Sequence, residues 1–350
     1  MERGAWITIE KFAGTDTESD PFSLSPDMSP DLLNVYGDGT FVQKRPGVTR
    51  LVGTALSGPV IDILHWAATA APPSTNNGGP DGLMAKFIAS GSNIIGLAVY
   101  DAPADTLSEI RTFGGSADAR MMVATRRLVL APSGGPFVYV VSHTGNVSPY
   151  YLGGSMMMLP ANPDGVTYGR RVGASFKNHV FWVYSDDRRY THEVIFSEFD
   201  APELYLAKNR FEIEPIGRMS HLAGLHENGD IFYIGKTDAV YGLTGGSAES
   251  FRLHRLPMPF GFTGNRGMAN VGGLSIGFST RSGFATTVNG FEIDQPDNIV
   301  AMSPDSYKFI GDKVLSLIRQ TTAGAYYESH AKYWSDLGGV FFLPRRAGTA

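Results

Sequence analysis

The residues with the clearest potential for chemistry form one run, Asp186-Asp187-Arg188-Arg189-Tyr190. Paired carboxylates hydrolyse glycosidic bonds, and sialidases add an arginine cluster and a tyrosine nucleophile. The run directly follows a β-prone segment that ends at Tyr184, where charged residues ordinarily form a solvated turn. Sialidases also repeat a Ser-x-Asp-x-Gly-x-x-Trp turn, and the nearest approach, at 279–284, has neither the Asp nor the Trp. We therefore interpret the run as a turn and predict that the chain is not an enzyme.

Residues that could bind a metal or a nucleotide are also sparse. His221 and His226 are five residues apart, which places them on opposite faces of a strand. The oxygen-rich segments 101–105 and 162–165 have the composition of turns, in which Asp and Asn bond their own backbone. The glycine-rich segments near 244 and 264 lack the Gly-Lys-Ser/Thr ending of a phosphate-binding loop. The sequence predicts no metal and no other cofactor.

Composition places the chain among folded globular proteins, since 43% of its 350 residues are hydrophobic and 18% are charged. The absence of cysteine excludes disulfides and Cys-based zinc sites. A net charge of −5 argues against a protein that grips nucleic acid by its phosphates. The sequence shows no apolar leader and no run of about 18 apolar residues. We expect synthesis in a cytoplasm without membrane insertion.

The elements that would position any site are short strands. The 42 Gly and 21 Pro are spread along the chain, a pattern typical of strands joined by tight turns. The cleanest example is 219–244, where turns at 227–230 and 236–238 separate three β-rich runs. Another turn, at Lys177-Asn178-His179, separates the runs 172–176 and 180–184. A further unit at 267–290 has turns at 272–273 and 281–283, and a helix is predicted only over 306–318.

Three-strand units of this kind recur about every 45 to 50 residues, which is the spacing of propeller blades. We therefore predict an all-β fold, a β-propeller of about six or seven blades over residues 51–350. A β-sandwich pair would give similar strands, but the paired units at 220–244 and 267–290 favour the propeller.

The first 50 residues have a different character. Three prolines, Pro21, Pro26 and Pro30, fall within ten residues and prevent a helix. Gly37-Asp38-Gly39 then forms a hairpin turn between β-prone runs. Residues 1–50 are predicted to be an extended N-terminal docking arm that ends in a strand leading to the propeller.

Several segments together resemble the β-propeller hub, nozzle and packaged-DNA stabilisation proteins of bacteriophage tails. The matches follow the order of that family through most of the chain. They are Lys11 to Thr15, Asp20 to Phe22, Leu32 to Val35, Lys44 to Gly47, Val194 to Glu198, Pro202-Glu203, Asn209, Phe211 to Ile213, Leu222 to Leu243, Ala331 to Trp334 and Val340 to Leu343.

The resemblance implies a structural virion protein of the tail, arranged as a ring, six-fold in that family, below the portal and its adaptor. Such a ring extends or seals the DNA conduit, and DNA traverses it at ejection without sequence-specific binding. The implied partners are further copies of the chain and adjacent tail or adaptor proteins. Since a Pro-rich arm cannot bury itself, we expect it to dock on a neighbour. The predicted assembly residues are Phe12, Pro21, Phe22, Leu24, Pro30, Leu33, Arg45 and Pro46.

The alternative function is a carbohydrate-binding or glycoside-hydrolysing propeller on the same virion. Its discriminating feature would be a pocket at one end of the blades that holds several carboxylates and aromatic side chains. A cellular interaction propeller ranks last, because no Trp-Asp signature repeats. Tyr333-Trp334-Ser335-Asp336 occurs once, and we interpret Trp334 as a core residue.

Overall fold

Strands joined by turns make up almost all of the chain that the structure, a computed structural model, describes. Side chains are described in 173–183, 192–199, 205–213, 224–236, 238–262, 267–280, 297–313 and at 56, 98, 315, 318 and 331, and strand backbones are described beyond these ranges. The chain divides into two compact units. The central unit contains Arg50–Ile234 and Tyr241–His254, and the terminal unit contains Met1–Thr49, Gly235–Val240 and Arg255–Ala350.

The N-terminal region contributes two small strand pairs. They are β1 (Gly14–Thr15) with β2 (Met28–Ser29), which are parallel, and β3 (Val35–Gly37) with β4 (Val42–Lys44), which are antiparallel. The predicted hairpin is confirmed by the pairing of β3 with β4. The eight predicted assembly residues lie outside the described residues.

The central unit holds a four-stranded sheet, a three-stranded sheet and two further four-stranded sheets, the last of which extends by a few residues into the terminal unit. The first two contain β5 (Val60–Ala67), β6 (Asp81–Ile88), β7 (Ile94–Asp101), β8 (Thr106–Gly114), then β9 (Met121–Arg127), β10 (Pro136–Val141) and β11 (Val147–Tyr151). The third sheet contains β12 (Arg170–Phe176), β13 (His179–Tyr184), β14 (Glu193–Phe196) and β15 (Arg210–Glu212). The fourth contains β16 (Leu222–Asn228), β17 (Ile231–Lys236), β18 (Val240–Thr244) and β19 (Arg252–Arg255).

The terminal unit contains one more four-stranded sheet and a strand pair. The strands are β20 (Met268–Val271), β21 (Leu274–Val288), β22 (Phe291–Met302), β23 (Tyr307–Phe309), β24 (His330–Trp334) and β25 (Gly339–Leu343). A turn of 3-10 helix, Asp312–Val314, follows β23. Within the described residues, no helix is both long and apolar enough to cross a membrane.

Every sheet from β5 onward is a meander in which each strand pairs with the next strand along the chain. Within the central unit, the first strands of successive sheets contact one another, β5 with β9, β9 with β12 and β12 with β16. In the terminal unit, β20 contacts β24 in the same way. All-β architecture with repeated four-stranded antiparallel sheets is therefore confirmed, and the contacts between first strands are those that propeller blades make.

Aromatic side chains fill the space between the third and fourth sheets. The ring of Phe232 lies 5.3 Å from that of Phe176 and 4.7 Å from that of Phe181. Phe251, which precedes β19, places its ring 5.4 Å from that of Phe196 and 5.7 Å from that of Phe181. All five side chains are buried, with at most 5% exposed. Each sheet thus buries its face against its neighbour.

A tight turn joins β12 to β13, as the sequence predicts. Lys177 and Asn178 have positive φ angles, 46° and 65°, which is the left-handed pairing that a two-residue hairpin requires. Gly173 lies opposite Trp182, and a Cβ on this glycine would lie 2.3 Å from the indole ring. The indole Nε1 donates a 2.6 Å hydrogen bond to the Tyr205 hydroxyl. The large buried indole therefore depends on the missing side chain at 173.

Two predictions in the terminal unit are wrong. The segment 307–309 is a strand paired with β22 and is followed by the 3-10 turn, so the predicted helix over 306–318 fails in its first half. The predicted turn at 281–283 lies inside β21, which continues to Val288. The register against β22 shifts between Thr280 and Ala285, so the extra residues form a bulge in a continuous strand.

Candidate functional site

A groove of about 430 Å³ opens at one edge of the third and fourth sheets. Successive strands of a meander reverse direction, so the connections β12–β13, β14–β15, β16–β17 and β18–β19 meet at the same edge. The groove lies among these connections and has both polar and apolar walls. Its lining includes Lys177, Asn178, His179, Phe199, Glu227 and Asp230.

One ion pair joins the two sheets at this edge. The Lys177 ammonium donates a 2.5 Å hydrogen bond to Asp230 Oδ1, and the two side chains are 38% and 98% exposed. The hydrogen bond from Lys177 and then its positive charge hold the pKa of Asp230 below its ordinary value. Water screens a pair this exposed, so it contributes little to stability. It does fix the positions of two opposite charges at the edge of the groove.

His179 and Phe199 form the aromatic part of the lining. His179 is 1% exposed, and its Nδ1 donates a 2.7 Å hydrogen bond to the Ser197 carbonyl oxygen, which can only accept. The imidazole ring lies 5.7 Å from the Phe199 ring and 5.2 Å from the Phe251 ring, with both in edge-on geometry. Phe199 is 53% exposed. A rigid buried imidazole therefore supports one edge of an exposed aromatic ring.

The segment between β18 and β19 completes the groove wall. The Ser250 hydroxyl accepts hydrogen bonds from the backbone N–H groups of Gly246 and Ser247, at 3.0 and 2.9 Å. Gly245 has a φ of 112°, and a Cβ there would lie 2.5 Å from the Ser250 carbonyl oxygen. This tight turn directs Phe251 into the aromatic layer and leaves Gly246 in the lining.

The segment that follows β14 is hydrogen-bonded to other strands of the third sheet. Ser197 N–H donates to the Val180 carbonyl at 2.9 Å, and Val180 N–H donates to Ser197 Oγ at 2.9 Å. The Asn209 amide donates a 2.7 Å hydrogen bond to Glu198 Oε1, and the Asn209 carbonyl accepts from Phe196 N–H at 3.0 Å. Asn209 is 2% exposed. Phe196, Ser197, Glu198 and Asn209, which belong to the resembling segments, thus join β14 to β13 and β15.

Of the charged run and the two histidines considered for chemistry, the structure describes only the side chain of His226, which is not part of the groove lining. The run 186–190 lies outside the described residues, as does His221. His226 is buried, and its ring stacks on Tyr233 with centroids 6.3 Å apart. Among the described side chains, no three His, Asp or Glu residues are grouped as metal ligands.

Sequence reasoning identified the groove residues only as parts of turns. Lys177 and Asn178 fall in one predicted turn, and Glu227 and Asp230 fall in another. Phe199 was not singled out at all. The pattern along the chain cannot show that Lys177 and Asp230, 53 residues apart, meet at one edge. The packing of the third sheet against the fourth brings their two turns together. The feature expected of a carbohydrate-binding propeller is a pocket at one end of the blades with several carboxylates and aromatic side chains, and this groove has the carboxylates of Glu227 and Asp230 and the exposed ring of Phe199.

No protein-family model and no curated protein matches the chain. Similar solved structures include the Dos1 propeller, with a TM-score of 0.42, 12% identity and coverage of 73% of this chain and 59% of that one. Apo AztD from Citrobacter koseri has a TM-score of 0.41 and 11% identity over 69% of this chain and 62% of that one. BBS1N in complex with ARL6DN has a TM-score of 0.38 and 10% identity over 69% and 66%. The chain thus spans less than two thirds of each, and the likeness concerns the fold alone.

Proposed function

We propose that this chain is a non-enzymatic structural protein of a bacteriophage tail. In this proposal it is a β-propeller of about six or seven blades with an N-terminal docking arm. Identical copies form a ring, six-fold by the resemblance, below the portal and adaptor. The ring extends or seals the DNA conduit and lets DNA pass at ejection. A chain with a net charge of −5 suits such a passage, since phosphate-neutralising contacts would hold the DNA back.

The observation that carries the proposal is the position of the resembling segments in the fold. Residues 194–198, 209 and 211–213 form β14, β15 and the hydrogen bonds that join them. Residues 222–243 form β16, β17 and most of β18. A segment with this many structural contacts is expected to recur wherever the same blade is built. Where the structure describes these segments, they lie in strands and in the hydrogen bonds between strands, and this supports the proposal.

The packing between sheets also suits a mechanical role. The aromatic layer between the third and fourth sheets is buried and closely stacked, and aromatic pairs of this kind add about 0.5–1.5 kcal/mol each beyond the area that they bury. A rigid interface between blades would keep the bore of a ring constant while DNA moves through it. Head-to-tail contacts between copies would then close the ring.

Assembly on tails tests the proposal. The mass of the purified full-length chain is measured by light scattering, alone and after mixing with tail complexes from particles that lack this protein. We expect a ring of copies on the tail, visible by negative-stain imaging. We expect deletion of residues 1–34 to leave a folded monomer that no longer joins tails, because the arm supplies the docking surface.

The point variant Phe22→Ser within the arm is a milder change than the deletion. It should weaken binding of the chain to tails without changing the circular dichroism of the propeller. Full assembly by the truncated protein would contradict the role of the arm. A full-length chain that binds no tail at any concentration would contradict the tail function itself.

A further inference from the structure

We propose that the groove between the third and fourth sheets binds a neutral saccharide. This site is separate from the proposed ring, because the groove is complete within one copy of the chain. Its volume of about 430 Å³ falls within the range of about 300–1,000 Å³ that small-molecule sites occupy. The chemistry of its lining identifies the class of ligand.

Two carboxylates and one ammonium line the groove, so its charges disfavour an anion, and Lys177 already occupies the place beside Asp230 that a cation would take. Lys177 would attract an anion, but the carboxylates of Glu227 and Asp230 line the same groove and would repel it. A cation would be attracted by these carboxylates and repelled by Lys177, whose charge already offsets that of Asp230 at 2.5 Å. A neutral ligand with many hydrogen-bonding groups avoids both penalties.

Hydroxyl groups match the polar atoms that the groove presents. A hydroxyl both donates and accepts, and the groove supplies acceptors in Asp230 and Glu227 and donors in Lys177. The amide of Asn178 offers both functions and is exposed. A polyol can therefore satisfy donors and acceptors within one molecule.

Phe199 supplies the apolar contact that a sugar ring needs. Its ring is 53% exposed, and the His179 ring supports it from one side at 5.7 Å. The face of an aromatic ring carries negative potential, so it attracts the weakly positive C–H groups on one face of a pyranose. Phe199 covers the buried His179 ring and still leaves about half of its own surface open to the groove. Saccharide binding gives the exposed ring a function.

Local rigidity reduces the entropy lost on binding. The hydrogen bond between Lys177 and Asp230 holds two polar groups in place across the two sheets. Lys177 and Asn178 sit in a tight turn at φ of 46° and 65°, and the left-handed conformation is uncommon for lysine. Since the backbone of this turn is already constrained, less backbone freedom is lost there when a ligand binds.

Saturation-transfer NMR with the full-length chain tests the proposal. The probes are neutral trisaccharides built from glucose, galactose, mannose or N-acetylglucosamine, and sialyllactose and a lysine tripeptide serve as charged comparisons. We expect transfer to the C–H protons of at least one neutral trisaccharide and none to the charged probes. Phe199→Ala should weaken that binding at least about tenfold, which corresponds to about 1.4 kcal/mol.

Two further variants separate binding from folding. Asn178→Gly keeps the left-handed turn, which glycine adopts readily, and removes only the amide, so binding should weaken with the fold intact. Leu206→Ala is the matched control for Phe199→Ala, since Leu206 is 37% exposed in the same connection and does not line the groove. It should bind like the unaltered chain. Circular dichroism confirms folding of each variant.

Three outcomes would overturn the inference. The first is the absence of transfer to every neutral trisaccharide at millimolar concentration. The second is binding that survives both Phe199→Ala and Asn178→Gly unchanged, because the ligand would then occupy another surface. The third is preferential binding of sialyllactose or the lysine tripeptide, which would reverse the charge argument. Failure of the chain to join tails would leave this inference standing, since the two are measured separately.

Discussion

Phe251→Ala should weaken the packing of the third sheet against the fourth. The Phe251 side chain is 5% exposed, and its ring lies within 6.4 Å of the rings of Phe176, Phe181 and Phe196. Truncating a buried phenylalanine to alanine costs about 3–5 kcal/mol of unfolding free energy, because apolar burial is lost and a cavity remains. The aromatic contacts place the expected loss at about 4 kcal/mol, within that range.

The assay combines urea unfolding, followed by fluorescence, with hydrogen exchange. A chain of 350 residues need not unfold in one step, so exchange of the β13 and β17 amides reports the local stability of the two sheets directly. Phe199→Ala is the matched control, since the same ring is removed from a position that is 53% exposed. We expect it to cost less than about 1 kcal/mol. Equal losses for Phe251→Ala and Phe199→Ala would refute the assignment of the aromatic layer as the contact between the sheets.

Three smaller changes test other parts of the described fold. Tyr205→Phe removes the hydroxyl that accepts the hydrogen bond from Trp182, so urea unfolding should show a loss of about 1–2 kcal/mol, and an unchanged midpoint would contradict it. Asn298→Ala removes two hydrogen bonds from backbone amides and one to a carboxylate at a site 6% exposed, which should cost about 2–4 kcal/mol by the same assay. The lowered pKa of Asp230 means that its pair with Lys177 stabilises the fold above the ordinary carboxyl pKa near 4 and loses that effect as the pH falls below it. Asp230→Asn should lower the midpoint slightly at pH 7, where the pair is intact, and should not lower it well below the carboxyl pKa, and an equal difference at both pH values would count against the pair.

Inner strands were predictable from the sequence because both of their faces are buried. All six residues of β17 are buried, and the apolar run that results is bounded by turn residues on both sides. The outermost strands contain no such apolar run. Three of the four residues in β19 are exposed, with Leu253 half-buried, and β15 and β23 likewise expose two of their three residues. The sequence therefore predicts units of three strands, whereas the sheets that contain β15, β19 and β23 each have four.

Edge strands also explain the error at 306–318. Tyr307–Phe309 pairs with one neighbour only, and its polar and aromatic residues alternate over too short a run to show a period of two. Pairing with β22 decides its conformation, and that contact is not visible in the local sequence. Similarly, the bulge in β21 contains Gly and polar residues that read as a turn, although the strand continues beyond them.

The all-β class, the positions of most inner strands and the tight turns can be read from the sequence, because local burial patterns and backbone preferences specify them. The turn at Lys177 can be read in the same way. The contact of this turn with Asp230 from the next sheet, and the presence of Phe199 in the same groove, depend on how the two sheets pack. The groove is formed by separate hairpin ends, and the packing of one sheet on another sets the distance between them. Such packing depends on the shapes of side chains far apart in the sequence, so no single segment encodes it.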